Sequence, residues 1–495
     1  MFLTIVLLLA ALVATVLAGL VYLFTPPANF PKDIPTVPFY YTLLPLIRNN
    51  DQVDLYRQYL ERPLTESGAV KLFFGGRWNL LVRKPAYIAE VLKNKDVYAK
   101  SGNQKKIPHA VLAEYTGDNI ISAHGENWRL YTSVFKPGLQ QDYDPAKLWS
   151  NSRLLVQLLR EQSAGGSVNV NPVLQRYALA NLSEVLLGSS FETMQKPNAP
   201  LHAFQLRIKP KIFHPIFLNF PFLDHFKLPT RQEARKLVTE FTDELCQTVQ
   251  KGHAACSHEQ GQLKNLGCRL LNAYETGQFT EKQLRHNMIS AFLAGHENPQ
   301  LLLISALFLL AEHPNIQQQL REEITSLNTP EPTPATLQSL PVLTSVIYEV
   351  LRLYPPISQL INRRTTTPIL LCGEIPIPAG TYIGYNAYST NRDVDFWGPT
   401  ADEFRPERWG LSIEEMNALF RRANAKGAFI SFHGGRRACL GQKFAMLEAR
   451  VTLARLVSEM GWVVDPAWPR MMTPAGPLYA RNLALKFYDI NSEKP

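Results

Sequence analysis

Residues 429–445 read FISFHGGRRACLGQKFA. Cys439 is followed two positions on by Gly441 and then by a helix-forming stretch, so its sulfur stands beside a helix N-terminus. Backbone N–H groups and the positive end of a helix both lower a thiol's pKa there. Gly434, Gly435 and Gly441 let the backbone pass close to a flat partner where a Cβ would clash. Arg437 offers donors in a fixed fork that suits a carboxylate. Phe429 and Phe432 are placed to screen the sulfur from water. The set fits a thiolate bound to the iron of a large planar cofactor with acidic side arms. An ordinary buried cysteine in a glycine turn competes with that reading, and for an isolated cysteine it is the commoner case.

Three further segments carry side chains at chemically useful spacings. In SVIYEVLRLYPP, Glu349 and Arg352 lie on one face of a helix, where carboxylate and guanidinium can fix each other's geometry. Such a pair is usually a solvated surface pair, but here the flanks are apolar and Pro355-Pro356 ends the helix. HGENWRLYTSVFKPGL carries Trp128 and Arg129 side by side. MISAFLAGHENPQLLLISALFLLAEHP is a long helical pattern containing Gly295, Glu297, Asn298 and Pro299.

Together these segments resemble the cytochrome P450 family. The cysteine loop matches its haem-binding pattern F-x-x-G-x-R-x-C-x-G at Phe432, Gly435, Arg437, Cys439 and Gly441, far more specific than a lone GxGxxG. The resemblance implies that Cys439 is the proximal ligand of haem b iron and that Arg437 reaches a haem propionate. Glu349 and Arg352 look like the family's ExxR pair. EFRPERW matches its F-x-P-E-R-F/W stretch from Phe404 to Trp409, which implies that Arg408 completes a network with Glu349 and Arg352. Its role there is rigidity rather than proton transfer. Trp128 and Arg129 resemble the helix that crosses one haem edge and implies propionate donors. Where that helix usually carries a basic residue, this chain has Thr132, leaving Arg129, His124 or Tyr131 to compensate. Arg363 stands at roughly the spacing of another propionate arginine, and Arg364 is an equal candidate. The expected fold class is mainly α with small β-sheets, the cytochrome P450 fold, preceded by one N-terminal transmembrane helix.

The resemblance breaks in the long helix. Ala294, Gly295 and Glu297 obey the pattern A/G-G-x-D/E-T, but Asn298 replaces the threonine and Pro299 follows it. The family's threonine hydroxyl orients a water that helps cleave the O–O bond of dioxygen. Asparagine has an amide donor and an acceptor but no hydroxyl proton to relay. Pro299 lacks an N–H, so the Gly295 carbonyl loses its intrahelical partner and an open turn is expected. Neutral drift is the competing account, since some family members work without the threonine. The AGHENPQ variant resembles that of fungal members allied to dityrosine-forming enzymes and to those making tyrosine-derived isocyanide dimers. That resemblance implies oxidative coupling of a small tyrosine-derived phenol, in secondary metabolism or cell-wall precursor synthesis. Hydroxylation or epoxidation of a small apolar metabolite is the alternative. A non-oxidising haem-thiolate isomerase or a haem sensor is a third reading, separated by dependence on NADPH and reductase. The implied partners are NADPH–cytochrome P450 reductase, cytochrome b5 as a second electron donor, a small-molecule substrate, and membrane lipid through the N-terminal helix. A monomer is expected.

Positioning these groups falls to a helical body. Helical spacing covers residues 86–92, 145–162, 172–187, 231–250, 281–313, 315–327, 337–354 and 441–460. Strand patterns appear in a Gly75-Gly76 hairpin within 69–85, at 369–377, at 382–384 and at 484–488. The polar stretch 253–267 reads as a surface loop. Ahead of the body, FLTIVLLLAALVATVLAGLVYLF over residues 2–24 carries no charge and spans about 35 Å as a helix, enough for a roughly 30 Å hydrocarbon core. A cleaved signal peptide would show a basic start and a shorter apolar run. Lys32 and Arg48 follow the span, favouring a cytoplasmic body on the endoplasmic reticulum membrane. Prolines at 26, 27, 31, 35 and 38 make residues 25–38 a stiff hinge, and residues 39–495 form the catalytic domain.

Composition narrows the classes. A 46% hydrophobic, 19% charged chain buries a core rather than staying disordered. The net charge of +9 is spread along 495 residues without a basic block, so no nucleic-acid partner is expected. Five cysteines at irregular spacing make neither a disulfide framework nor a zinc cluster.

Overall fold

The computed structural model describes residues 2–255 and 265–490. Most of the body is helical, and its axis is a helix from Glu281 to Glu312, started by a reciprocal capping box between Thr280 and Gln283. Its second half, Leu301 to Leu310, is buried apart from Phe308, which is why that apolar run packs inside the protein. The helices Val170–Asn181, Pro229–Ala255 and Gln442–Glu459 pack against it, and Ala146–Ser163 packs on the first and last of these. Val170–Asn181 runs into a π-helical turn, Leu182–Leu187, and its buried residues face the axis helix. The expected helix over 337–354 is two, Pro334–Gln338 and Pro341–Leu353, because Pro341 starts the second. Of the loop expected over 253–267, His253 belongs to the preceding helix and Leu266 opens Leu266–Glu275. Residues 256–264, with Cys256, lie outside the described residues.

A five-stranded sheet flanks the helices. Its strands are β1 (Ala69–Phe74), β2 (Arg77–Val82), β3 (Tyr98–Lys100), β4 (Gln359–Thr365) and β5 (Tyr382–Asn386), in the spatial order β1-β2-β5-β4-β3. β2 and β5 run parallel with Leu80 opposite Ile383, and the other pairs are antiparallel. A register shift between Ile361 and Arg363 interrupts β4 against β5. Gly384 allows the close approach there, since a Cβ on it would stand 2.3 Å from the Leu360 carbonyl. Val168–Asn169, Met460–Val464 and Ala484–Asp489 form a second sheet, and Ile369–Leu371 pairs with Ile375–Ile377.

The N-terminal helix α1 runs from Phe2 to Phe24 and is the single described helix long and apolar enough to cross a membrane. The proline-rich segment after it is pinned to the body. Val37 N–H donates to the Lys71 carbonyl at 2.9 Å, Lys71 N–H to the Pro35 carbonyl at 2.8 Å, and Ile34 and Val37 are buried.

Candidate functional site

Cys439 sits just ahead of Gln442–Glu459 in a loop fixed from three sides. Its N–H donates to the Phe432 carbonyl at 2.9 Å. Gly435 adopts φ +62° beside the Leu92 carbonyl, which a Cβ would meet at 2.9 Å, so glycine is required there by both backbone and space. At Gly441, by contrast, a Cβ would meet no protein atom closer than the Cys439 sulfur, 3.9 Å away. The room kept open at Gly441 is therefore not taken by protein. Asn424 Nδ2 donates to the carbonyls of Phe429 and His433 at 3.1 and 2.5 Å.

Cys439 itself is exposed, yet protein crowds it closely enough that burial raises its pKa against the pull of the Gly441 and Gln442 N–H groups. Its sulfur thus keeps accessible surface within crowded surroundings. The depressed thiol pKa expected from the helix terminus does not appear in the protein alone, because desolvation outweighs two backbone dipoles.

Beside the sulfur lies a group of cations without anions. Arg437 stacks its guanidinium over the Trp128 ring at 4.5 Å and donates to the Ala123 carbonyl through Nη2, while its Nη1 is buried with no partner. Arg363 is 1% exposed; Nη1 donates to the Tyr98 carbonyl at 3.2 Å and Nε is buried without a partner. Lys100, from β3, is also buried, and burial together with Arg363 and Arg437 holds its pKa well below the usual lysine value. Burial and Arg363 pull Arg437 down to about 9. His433 is pushed down to about 3 by burial, Lys100 and Arg363, with the Tyr385 hydroxyl 2.7 Å from its Nδ1. Among the described residues no carboxylate pairs with Lys100, Arg363 or Arg437. Two buried cations and a half-buried one are costly unless something anionic meets them.

Two of the sequence candidates separate here. Strand alternation turns Arg363 inward with Ile361 and Thr365, and leaves Arg364 exposed, donating to the Gly380 carbonyl at 3.1 Å. Trp128 joins the cations, whereas its neighbour Arg129 is exposed and within the field of Asp96. Thr132 donates to the Trp128 carbonyl and Tyr131 to Asp118, so neither supplies the missing base. His124 lies within the field of Arg437. Lys100 fills the gap, and sequence spacing gave no sign of it, because β3 meets the arginines only through sheet pairing with β4.

Behind the loop, Glu349 and Arg352 are fully buried and joined by two bonds of 2.8 Å. Glu349 also accepts from Arg408 Nε at 2.8 Å, Trp409 Nε1 at 2.9 Å and the Arg405 N–H at 3.1 Å. Arg352 spends its remaining donors on the carbonyls of Asn391, Ala401 and Glu403. Asn391 and Ser431 link this network to the cysteine loop through a 2.8 Å bond, and Ser431 donates back to the Leu351 carbonyl at 2.6 Å.

On the axis helix, Gly295, Glu297 and Asn298 follow one another beside Pro299, and the helix is continuous through the proline. The open turn expected from the proline ring does not interrupt the helix. Gly295 serves packing, since a Cβ would stand 2.5 Å from Leu182 Cδ1. Glu297 Oε1 is 2.6 Å from Lys209 Nζ of Pro200–Ile212, while Asn298 is half-buried and its side chain forms no hydrogen bond with a described residue. His296, fully buried, donates from Nδ1 to the Phe292 carbonyl at 2.6 Å and accepts from Gln205 Nε2 at 2.9 Å. Burial lowers its pKa to about 4 and keeps it neutral.

An accessible thiol in a tightly held loop, backed by a buried ion-pair network and neighboured by unpaired cations, is the arrangement that a haem-thiolate protein needs. The donor set fits haem b: Cys439 for the iron, and Lys100, Arg363, Arg437 and Trp128 for the two propionates. The sequence comparisons agree, as the cytochrome P450 family profile matches residues 31–482. The chain belongs to that family and is a haem-dependent oxidoreductase of the monooxygenase type. It is 44% identical over 468 residues to cytochrome P450-DIT2 of Saccharomyces cerevisiae, covering 94% of each chain. It is 41% identical over 478 residues to cytochrome P450 monooxygenase xanG of Aspergillus fumigatus, covering 94% of this chain and 88% of that one. A more distant relative, protein LUTEIN DEFICIENT 5 of Arabidopsis thaliana, is 26% identical over 484 residues.

Proposed function

We propose that this chain oxidatively couples a small tyrosine-derived phenol, with Cys439 as the iron ligand, Lys100, Arg363, Arg437 and Trp128 holding the propionates, and electrons from a membrane-bound NADPH-dependent reductase. Bound haem supplies the oxidising power for one-electron chemistry. In the balanced reaction two phenols each lose one hydrogen atom and join through one new bond. Dioxygen, two electrons and two protons, with those two hydrogens, leave as two waters. The protein's task is to hold two rings and to keep oxygen out of the product. The observation that carries this reading is Asn298, whose unpaired amide stands where the family's pattern has a hydroxyl. An amide orders water without relaying a proton through itself, and a phenol bound beside it brings an O–H that can both donate a hydrogen bond and lose its hydrogen. The resemblance of the AGHENPQ segment to that of fungal members allied to dityrosine-forming enzymes supports the same chemistry.

Products formed from a tyrosine-like phenol under labelled dioxygen, with reductase present, decide the matter. Unlabelled dimer is expected from the wild type, and Asn298→Thr should move product toward labelled, hydroxylated monomer by about tenfold, the scale of one 1.4 kcal/mol step in barrier. Labelled monomer as the main wild-type product would replace coupling by hydroxylation.

A further inference from the structure

The ion pair between Lys209 and Glu297 is not sealed. Their side chains are 42% and 21% exposed. With Oε1 taken, Glu297 keeps Oε2 free, and the Lys209 ammonium keeps two of its three N–H donors. Two tyrosines from other parts of the chain lie within the field of this pair. Tyr115, on the short helix Val111–Thr116, has its pKa raised by burial and by the Glu297 charge. Tyr479, in the segment before Ala480, is raised by burial and feels both Lys209 and Glu297. Neither hydroxyl hydrogen-bonds a described residue, although Tyr115 is only 2% exposed. The Tyr115 hydroxyl is not among the buried atoms left without a partner, so it keeps accessible surface and is free to donate to a ligand. The Tyr115 ring rests on Phe241, which packs on Phe204 and Phe292, so the hydroxyl has an apolar backing.

The chemistry of this cluster selects its ligand. A half-free ammonium beside a half-free carboxylate is complementary to a headgroup carrying a carboxylate next to an N–H. A phenol without a headgroup satisfies neither. A carboxylate without an N–H faces the charge of Glu297 with nothing to offer it. An α-amino acid or its N-acyl derivative meets both, and Asn298 is the next residue along the helix from Glu297.

We infer that Lys209 and Glu297 together bind the α-carboxylate and α-N–H of an amino-acid-derived phenol, with the Tyr115 hydroxyl as a third donor. This rests on the phenol reading above and assigns the residues that set its specificity. Lys209 thereby distinguishes a substrate that keeps its carboxylate from one that has lost it.

The test titrates the haem-loaded enzyme, without turnover, with N-acetyl-L-tyrosine and with its methylamide, following the change in haem absorbance. The acid should bind wild type at least about tenfold tighter, the scale of one charge-assisted hydrogen bond. Lys209→Met should bring the two ligands within about twofold of each other, Lys209→Arg should keep the preference, and Tyr115→Phe should weaken the acid by a few fold. Equal affinities in the wild type, no binding of either ligand, or an equal loss of both in Lys209→Met overturns the inference. The Lys209→Arg and wild-type comparison stands even if Lys209→Met fails to fold. Coupling is judged separately by products. A preference for the acid with only hydroxylated monomer formed removes coupling and leaves the clamp, whereas dimer formed from both ligands at equal affinity removes the clamp and leaves coupling.

Discussion

Lys100, Arg363 and Arg437 are held at a cost that only an anion offsets, and this gives substitutions there opposite effects on the two forms of the protein. Lys100→Met keeps the length of the side chain and deletes its charge. Haem dissociation should quicken by about tenfold, the scale of one 1.4 kcal/mol contact. The haem-free protein should become more thermally stable, since a buried unpaired ammonium is gone. A variant that loses haem at the wild-type rate would place Lys100 outside the propionate site. Cys439→Ser is the companion test, because a thiolate shifts the ferrous carbon monoxide band far to the red of a histidine-ligated one. The serine variant should lack that band. These residues also show what a sequence discloses. Cys439 and Arg437 are legible because loop chemistry confines them to a few consecutive positions. Arg363 and Arg364 cannot be ranked until β4 is known to be a strand, whose alternation turns one in and the other out. Lys100 and Lys209 are reached only through pairing and packing between distant segments, and no local pattern announces either.

Among the elements, Gln442–Glu459 does more than follow the cysteine. Its Glu448 is fully buried against Val170–Asn181, accepts from Asn181 Nδ2 at 2.8 Å, and leaves Oε2 without a partner. Asn181 in turn accepts from Asn151 at 3.0 Å, so three helices meet on one carboxyl group. Burial raises Glu448 from 4.5 to about 8, with the Asn181 bond opposing the shift. An acid whose folded pKa is raised stabilises the fold fully below its unfolded pKa and loses that contribution as pH rises toward the folded value. Wild-type Tm should therefore fall between about pH 4.5 and pH 8 by more than that of Glu448→Gln, which imitates the neutral acid at every pH. Parallel Tm profiles for the two proteins would show that Glu448 is ionised in the folded state. The long helices Ala146–Ser163, Glu281–Glu312 and Gln442–Glu459 were legible from periodicity, and so was the run of Glu349 to Arg352, whereas Pro200–Ile212 and Ile413–Ala425 were not. The π-helical turn at Leu182–Leu187 and the strands β3 and β4 were not, because their short segments owe their form to neighbours rather than to an intrinsic pattern.

At the scale of the whole molecule, the apolar helix and the body meet at one corner. Tyr22, near the end of α1, donates to the Gly76 carbonyl at 3.0 Å, and Trp78 Nε1 donates to the Tyr22 carbonyl at 3.1 Å. Phe24 packs edge-on against Phe39 with centroids 4.1 Å apart. Pro221 lies so close to this turn that a Cβ on Gly76 would stand 2.7 Å from its Cδ. Phe74, Phe222 and Phe226, on the same two segments, are exposed. Large aromatics grouped beside the end of a membrane-length helix offer a second apolar contact with lipid, while the pinned proline segment limits how far the body can swing away. Membrane attachment should therefore need two lesions to abolish. Deleting residues 2–24 should leave part of the protein with the membrane fraction at low salt, and adding Phe222→Ser and Phe226→Ser to that deletion should release it. The two serine substitutions in the full-length chain should change nothing, because α1 alone suffices. Full release on deletion of the helix would show that these aromatics do not touch lipid. Protease added to intact microsomes should digest the body while sparing α1, and protection of the body would place it on the lumenal side, against the basic residues Lys32 and Arg48 that follow the span.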